Sequence, residues 1–125
     1  MRILIADDND YVRSGLAAML SSQESWSICG EARDGAEAIR RTVELKPDLI
    51  LLDVNLPDMS GLEVARRLRE ASPKTKILVI SNHDAKLLLP VVLEAGGSAC
   101  IDKGRLASDL LQTIGKIAAS TWPIE

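Results

Sequence analysis

Short apolar runs alternate with longer amphipathic stretches along the whole chain. Five of these runs have the length of strands, and they span Ile3–Ala6, Ile28–Ala32, Leu49–Leu52, Ile77–Ile80 and Ala99–Ile101. The runs ILIA, LILL and ILVI are apolar at every position, which is typical of a central parallel strand that is covered on both faces. Burial on both faces implies crossover connections, so we expect helices between the strands.

The stretches between these runs carry the spacing and the end signals of helices. The first begins after the acidic segment 8–10, which offers an N-cap and negative charge at the positive end of the helix dipole. Capping-box pairs open the second and third, and Pro47 and Pro73 close them. Four of the predicted helices are Val12–Leu20, Asp34–Lys46, Ser60–Ser72 and Asp84–Ala95, and the fifth carries an apolar stripe from Leu106 to Ile117. The pattern predicts an α/β protein of the (βα)5 type, with a flavodoxin-like, doubly wound parallel five-stranded sheet in the order 2-1-3-4-5.

Pro90 interrupts the fourth helical stretch. A proline inside a helix costs about 3 kcal/mol unless it lies in the first turn. We therefore expect this helix to start late or to bend at Pro90. The fifth helix is expected to end near Ser120, before Pro123.

The composition indicates one ordinary domain. The chain has 125 residues and 13.5 kDa, with 46% hydrophobic and 26% charged residues, which is enough for one apolar core but leaves no room for a fused output module. The net charge of −3 and the pI near 5.2 give no basic field that would attract nucleic acid or anionic lipid. We therefore do not expect this domain to bind DNA directly.

The same runs and the few cysteines bear on location and on metals. No apolar run approaches the ~18 residues of a membrane span, and Asp7 and Asp8 come too early for a signal-peptide core. Two isolated cysteines form no disulfide framework, so we expect a cytoplasmic protein. One histidine and two cysteines also cannot supply the ligands of a structural zinc site.

Polar residues whose side chains can bind a ligand or take part in a reaction stand at the ends of four predicted strands. They are Asp7 and Asp8 after the first strand, Asp53 after the third, Ser81 after the fourth and Lys103 after the fifth. Ligands of an open parallel sheet bind at the carboxyl ends of its strands, where the winding direction reverses. We therefore expect these side chains to meet at one edge of the sheet.

Three carboxylates at this edge predict a cation site. At about 5 Å apart they would repel by roughly 3 kcal/mol per pair, so the site should hold protons or recruit a cation. Oxygen ligands favour Mg2+, with Mn2+ also fitting, and a carbonyl from the 54–57 loop would complete the ligand set. Such an ion, together with the Lys103 ammonium and the Ser81 hydroxyl, provides the positive charge and the hydrogen bonds that phosphoryl transfer requires. One of the aspartates could then accept the phosphoryl group.

With these residues in this order, the sequence resembles the response-regulator receiver domains of bacterial two-component systems over essentially its whole length. The matching elements are the pair Asp7-Asp8, the segment DVNLPDMSG at 53–61, Ser81 and Lys103. The stretches SNHDA at 81–85 and LEAGGSACIDK at 93–103 are similar to receivers of the NarL/FixJ type. Those receivers usually carry a C-terminal helix-turn-helix domain that binds DNA, so the resemblance implies DNA binding only through such a domain, which is absent from this chain.

The resemblance implies a role for each site residue. Asp53 would be the phosphoacceptor, modified by a sensor histidine kinase or by a small donor such as acetyl phosphate. Lys103 and Ser81 would each bind a phosphoryl oxygen. The implied Mg2+ ligands are Asp8, Asp53 and the backbone carbonyl of Asn55, with Asp7 acting through water. The protein would be a phosphorylation-activated switch. It would be no enzyme beyond its own phosphoryl acceptance and hydrolysis. Its output face, the surface that changes its affinity for a partner, would comprise helix four, strand five and helix five.

Three positions depart from the family's pattern. Cys100 stands in place of the usual switch aromatic, so the rotamer change coupled to Ser81 cannot operate in its common form. Asn82 brings a larger side chain to the entrance of the phosphate site, and Gly104 replaces a frequent proline. These departures favour an alternative function, a pseudo-receiver that serves as a protein-interaction module without phosphorylation.

Two further questions concern catalysis and the ends of the chain. A third candidate function, a small haloacid-dehalogenase-like phosphatase, is the least favoured of the three. The segment Asp53-Val54-Asn55 lacks the general acid of an Asp-x-Asp motif. The predicted boundaries are a receiver domain over residues 1–120 and a tail or linker start over residues 121–125. We expect a truncated regulator of transcription with a sensor histidine kinase as partner. Whether it forms a homodimer is left open.

Overall fold

Five parallel strands form one sheet. Their bounds are β1 Arg2–Ala6, β2 Ser27–Ala32, β3 Leu49–Asp53, β4 Lys76–Ser81 and β5 Ala99–Asp102. The order across the sheet is β2-β1-β3-β4-β5, which confirms the predicted doubly wound fold. This computed structural model describes residues 1–119. The predicted domain end at 120 and the predicted tail 121–125 lie outside the described residues.

Each strand leads into a helix. The bounds are α1 Asp10–Leu20, α2 Gly35–Leu45, α3 Gly61–Ala71, α4 Ala85–Ala95 and α5 Leu106–Ala119. A short 3-10 turn, Lys103–Arg105, connects β5 to α5. Across residues 1–119, no helix combines the length and the apolar character needed to cross a membrane.

The sheet separates two apolar cores. Leu4 and Ile50 belong to the core that packs against α2, α3 and α4. Ile5 and Leu51 belong to the core on the opposite face, against α1 and α5. All residues of β3 are buried, as expected for a central strand with a helix layer on each face. The most enclosed strand of the sheet therefore ends in Asp53.

Three strands run further toward their carboxyl ends than the apolar pattern predicts. The last residues of β3, β4 and β5 are Asp53, Ser81 and Asp102. In the ladder Asp53 pairs with Ile80, and Ser81 pairs with Asp102. A hydrophobic pattern stops at the first polar side chain, although the backbone of that residue still belongs to the sheet. The backbone of these polar residues is consequently held by the sheet ladder.

The starts of two helices depend on side-chain caps. Within the predicted capping segment 8–10, Asn9 is the N-cap of α1, and its Oδ1 accepts from the Tyr11 N–H at 2.8 Å. The predicted late start of the fourth helix is wrong, because α4 begins at Ala85. Asp84 caps this end by accepting from the Lys86 N–H at 2.9 Å, and Pro90 lies inside the helix. A bend at Pro90 stays a prediction.

Candidate metal and phosphoryl-transfer site

The carboxyl edge of the sheet brings the predicted site residues together. Asp53 and Ser81 end β3 and β4, Asp7 follows β1 directly, and Lys103 follows β5 directly. Asp7, Asp53 and Ser81 are 1%, 2% and 0% exposed, whereas Asp8 is exposed. The fold therefore holds three polar side chains in its interior and one at its surface, at the point where the winding direction reverses.

Asp7, Asp8 and Asp53 form an acidic cluster. One carboxylate oxygen from each lies within 4.8 Å of the others. Lys103 Nζ donates to Asp53 Oδ2 at 3.3 Å and lies 3.8 Å from Asp7 Oδ2. One ammonium offsets only part of the repulsion among three carboxylates, and the remaining negative charge favours a bound cation.

One atom of Asp7 is the clearest sign that a cation fits this cluster. Asp7 Oδ1 accepts from the Asn9 N–H at 2.8 Å, but Asp7 Oδ2 is buried without a hydrogen-bond partner within residues 1–119. A buried carboxylate oxygen without a partner is costly. A divalent ion, or a water bound to it, would satisfy this atom. The donors are hard oxygens, which suit Mg2+ and Mn2+.

Burial raises the pKa of the Asp7 carboxyl above its ordinary value. The hydrogen bond from the Asn9 backbone and the charge of Lys103 oppose this shift, and the Asp53 carboxylate adds to it. The site without metal therefore holds a proton more readily than a surface aspartate does. A cation must compete with that proton, so its affinity is expected to fall as the pH falls.

The segment after Asp53 is held by close backbone packing. The Val54 N–H donates to the Ile80 carbonyl at 3.0 Å, and the Gly61 N–H donates to the Val54 carbonyl at 2.8 Å. The Asn55 N–H donates to Asp53 Oδ1 at 3.1 Å. A Cβ on Gly61 would lie 2.4 Å from the Asp53 carbonyl oxygen. Only glycine therefore lets α3 approach the candidate acceptor this closely.

Substitution of Gly61 by alanine tests this close approach. We expect Gly61→Ala to lower the free energy of unfolding by roughly 1–3 kcal/mol, because the added methyl group must displace the backbone at Asp53 and Val54. Gly115→Ala in α5 is the matched control, since nothing lies within 4 Å of its Cβ position. It should stabilise the protein by about 0.5–1 kcal/mol. Urea unfolding measures both values, and effects of the same sign would contradict the packing argument.

Ser81 and Cys100 lie on neighbouring strands. Ser81 Oγ accepts from the His83 N–H at 2.9 Å, so the serine hydroxyl keeps its own hydrogen for another acceptor. Asn82 and His83 are both exposed. Burial, with a smaller contribution from Asp102, raises the pKa of the Cys100 thiol to about 11. Cys100 is therefore neutral at physiological pH and behaves as a small apolar side chain.

Two charged residues near the site were missed by sequence reasoning. Arg13 is 6% exposed, although arginine is seldom buried without partners. Its place on the same helix face as Leu16 is the signal that was available. Asp58 accepts from the N–H groups of Gly35 and Ala36 at 2.6 and 2.9 Å, which caps α2 from the loop after β3. No local pattern marks Asp58, because its partners are distant in the chain.

A family model matches most of the chain. The model of the response regulator receiver domain matches residues 3–115. The chain belongs to the response regulator receiver domain family. Receiver domains are phosphorylation switches of two-component systems, act in signalling and generally bind Mg2+.

Its curated relatives are longer regulators. The chain is 38% identical to the transcriptional regulatory protein LiaR of Bacillus subtilis over 115 residues, which are 91% of this chain and 54% of LiaR. It is 32% identical to the response regulator GacA of Pseudomonas viridiflava over 119 residues, 95% of this chain and 56% of GacA. The chain therefore spans about half the length of the curated relatives it matches.

Solved structures of receivers share the fold. The receiver domain of the putative response regulator NarL from Mycobacterium tuberculosis matches with a TM-score of 0.87 and 30% identity, over 96% of this chain and 97% of that one. A LuxR-family two-component response regulator from Aurantimonas sp. SI85-9A1 matches with a TM-score of 0.89 and 30% identity, over 94% and 84% of the two chains. These similarities confirm the predicted resemblance to NarL-type receivers.

Proposed function

We propose that this chain is a working phosphorylation switch in which Asp53 accepts a phosphoryl group from a sensor histidine kinase in a Mg2+-dependent reaction. The observation that carries this proposal is the 3.3 Å contact between Lys103 Nζ and the buried Asp53 carboxylate, beside two further aspartates. An acceptor, a fixed cation and candidate metal ligands at one sheet edge are the components that phosphoryl transfer needs.

The covalent step moves a phosphoryl group between two nucleophiles. An oxygen of Asp53 forms a bond to phosphorus while the bond from phosphorus to the kinase histidine breaks, and the departing nitrogen keeps the electron pair. With acetyl phosphate, acetate is the leaving group. Water later attacks the phosphorus, which restores the Asp53 carboxylate and releases inorganic phosphate. The chain thus catalyses only its own modification and its reversal.

Lys103 and Ser81 are proposed to bind the phosphoryl group after transfer. Lys103 already contacts the acceptor carboxylate, and the Ser81 hydroxyl has a hydrogen to donate. Each charge-assisted contact contributes about 1.5–3 kcal/mol. The Ser81 contact and the added strength of the Lys103 contact count toward the ~5.5 kcal/mol that reverses a 1:99 population. Contacts made only after phosphorylation could therefore change the conformation of the protein.

The proposed metal ligands are Asp8, Asp53 and the Asn55 backbone carbonyl, with Asp7 acting through water. A bound Mg2+ would neutralise charge on the transferring phosphoryl group. The buried Asp7 Oδ2, which has no hydrogen-bond partner among the described residues, supports this ligand set. The exposure of Asp8 supports it as well, because Mg2+ keeps several of its waters. Mn2+ would fit the same ligands.

The proposed output is the regulation of transcription through a DNA-binding domain outside this chain. Similarity to LiaR, a transcriptional regulatory protein, supports this output, and the net charge of −3 disfavours direct DNA binding. The proposed output face comprises α4, β5 and α5, and Leu87, Val91 and Leu93 of α4 are exposed. We assign residues 1–120 to one cytoplasmic receiver domain with a sensor kinase as its partner.

A phosphorylation-independent interaction module is the second candidate. The small, neutral side chain of Cys100 and the exposed Asn82 beside Ser81 favour it. In that case, the protein would bind its partners without a phosphoryl group on Asp53.

Intact mass after incubation with acetyl phosphate distinguishes the two candidates. A working receiver gains one phosphoryl group in the presence of Mg2+ and none when EDTA replaces the metal. An active receiver treated in parallel verifies the phosphoryl donor. If that receiver is modified while this chain is not, the proposal is overturned and the interaction module is favoured.

A further inference from the structure

A buried guanidinium lies directly behind the acidic cluster. The side chain of Arg13, in the first turns of α1, is 7% exposed. Its Nη1 donates to the Asp7 carbonyl oxygen at 2.7 Å, and its Nε donates to the Glu31 carboxylate at 2.8 Å. Its Nη2 donates to the Asp10 carboxylate. One planar group thus joins the end of β1, the β2 residue Glu31 and the start of α1.

The contact with the Asp7 carbonyl bears on the next residue. This oxygen belongs to the planar peptide group that joins Asp7 to Asp8. The hydrogen bond from Arg13 therefore fixes the orientation of that peptide plane, and with it the position of the Asp8 backbone N–H. On the other side of Asp7, its N–H donates to the Ala32 carbonyl at 3.0 Å. Asp8 is itself exposed. The direction of its carboxylate therefore depends on the backbone that Arg13 holds.

The positive charge of Arg13 has an opposite effect on a cation site. A fixed cation repels Mg2+, so the removal of its charge alone would strengthen Mg2+ binding. Ion pairs with Asp10 and Glu31 compensate this charge. If Arg13 is replaced, the loss of its geometry predicts weaker Mg2+ binding, whereas the loss of its charge predicts tighter Mg2+ binding. An experiment can therefore separate the two effects.

We propose that Arg13 is a positioning residue for the divalent cation, because it holds the Asp7–Asp8 peptide in the orientation that directs the Asp8 carboxylate to the metal. This inference rests on the Mg2+ site of the proposed function. Loss of such an outer contact lowers metal affinity by about 10–100-fold. Arg13 itself would touch neither the phosphoryl group nor the ion.

Isothermal titration with Mg2+ on the full chain tests the inference. Arg13→Gln removes both the charge and the planar group, whereas Arg13→Lys keeps the charge but cannot hold three acceptors in the same geometry. We expect both variants to bind Mg2+ about tenfold more weakly or worse. Arg40→Gln is the matched control, since Arg40 forms exposed ion pairs with Glu37 and Glu44 on α2. Its Mg2+ affinity should equal that of the wild type.

Thermal unfolding in EDTA first establishes the temperature at which every variant is folded. A lower Tm with an unchanged Mg2+ dissociation constant would reveal a merely structural role and overturn the inference. Tighter binding by Arg13→Gln would reveal a role through charge and overturn it as well. If Arg13→Gln does not fold, the affinity of Arg13→Lys decides the question. A wild-type chain that binds no Mg2+ would instead refute the metal site of the proposed function, and the inference with it.

Discussion

Asp53→Asn is expected to abolish covalent phosphorylation by acetyl phosphate. The amide of asparagine is a far weaker nucleophile than a carboxylate, and Asp53 is the candidate acceptor that lies 3.3 Å from Lys103 Nζ. Asp53 is held in the interior at 2% exposure. Intact mass in excess Mg2+ should change from one phosphoryl group per chain to none.

Asp84→Asn is the matched control for that loss. Asp84 follows β4 and caps α4 by accepting from the Lys86 N–H at 2.9 Å, and asparagine caps helices about as well as aspartate does. Phosphorylation of this variant should equal that of the wild type. Full modification of Asp53→Asn would refute the assigned acceptor and direct attention to Asp7 and Asp8, the nearest other carboxylates.

Asp7→Asn is expected to stabilise the metal-free protein at neutral pH while it weakens the response to Mg2+. An ionised Asp7 is buried beside Asp53, and its Oδ2 has no hydrogen-bond partner among the described residues. The asparagine amide removes that charge and can donate to the Asp53 carboxylate. We expect a gain of about 1 kcal/mol, or roughly 4 °C in Tm for a domain of this size. Excess Mg2+ should raise the Tm of the wild type more than that of the variant.

The pH dependence of the same comparison follows from the raised pKa of Asp7. In the folded protein this carboxyl keeps its proton to a higher pH than in the unfolded chain. Wild-type stability therefore falls as the pH rises from the ordinary aspartate pKa through the raised value. The variant lacks this loss, so its advantage in EDTA should grow over that range and then stay constant. An advantage that is equal at every pH would contradict the assignment.

Asp58→Asn supplies a control of opposite sign. Hydrogen bonds from the Gly35 and Ala36 N–H groups lower the pKa of the Asp58 carboxyl. The ionised Asp58 carboxylate stabilises the fold at pH values above its pKa in the unfolded chain. This stabilisation is lost as the pH falls through the lower pKa of Asp58 in the folded protein. The difference between wild type and Asp58→Asn should therefore shrink as the pH falls. Thermal unfolding of both variants in one buffer series separates the two titrations.

The fold was largely predictable because it follows from local periodicity. The run LILL at 49–52 is apolar on both faces, and it forms the first four residues of the fully buried β3. The start of α4 was not predictable in the same way. The intrinsic cost of Pro90 suggested a late start, but the Asp84 cap and the burial of Val92 against the sheet stabilise a helix that begins at Ala85. Tertiary contacts outweighed a local propensity.

The amino-acid sequence by itself determined which residues stand at the strand ends, and with them the acidic cluster, Ser81 and Lys103. Their convergence follows from parallel strand order, because all carboxyl ends of such strands lie at one edge. Only the tertiary structure decided which polar atoms meet. Three examples are the contact of Arg13 with the Asp7 carbonyl, the burial of Asp7 Oδ2 without a hydrogen-bond partner among the described residues, and the approach of Gly61 to Asp53. Periodicity reports which face of an element is buried, whereas these contacts depend on how separate elements pack in three dimensions.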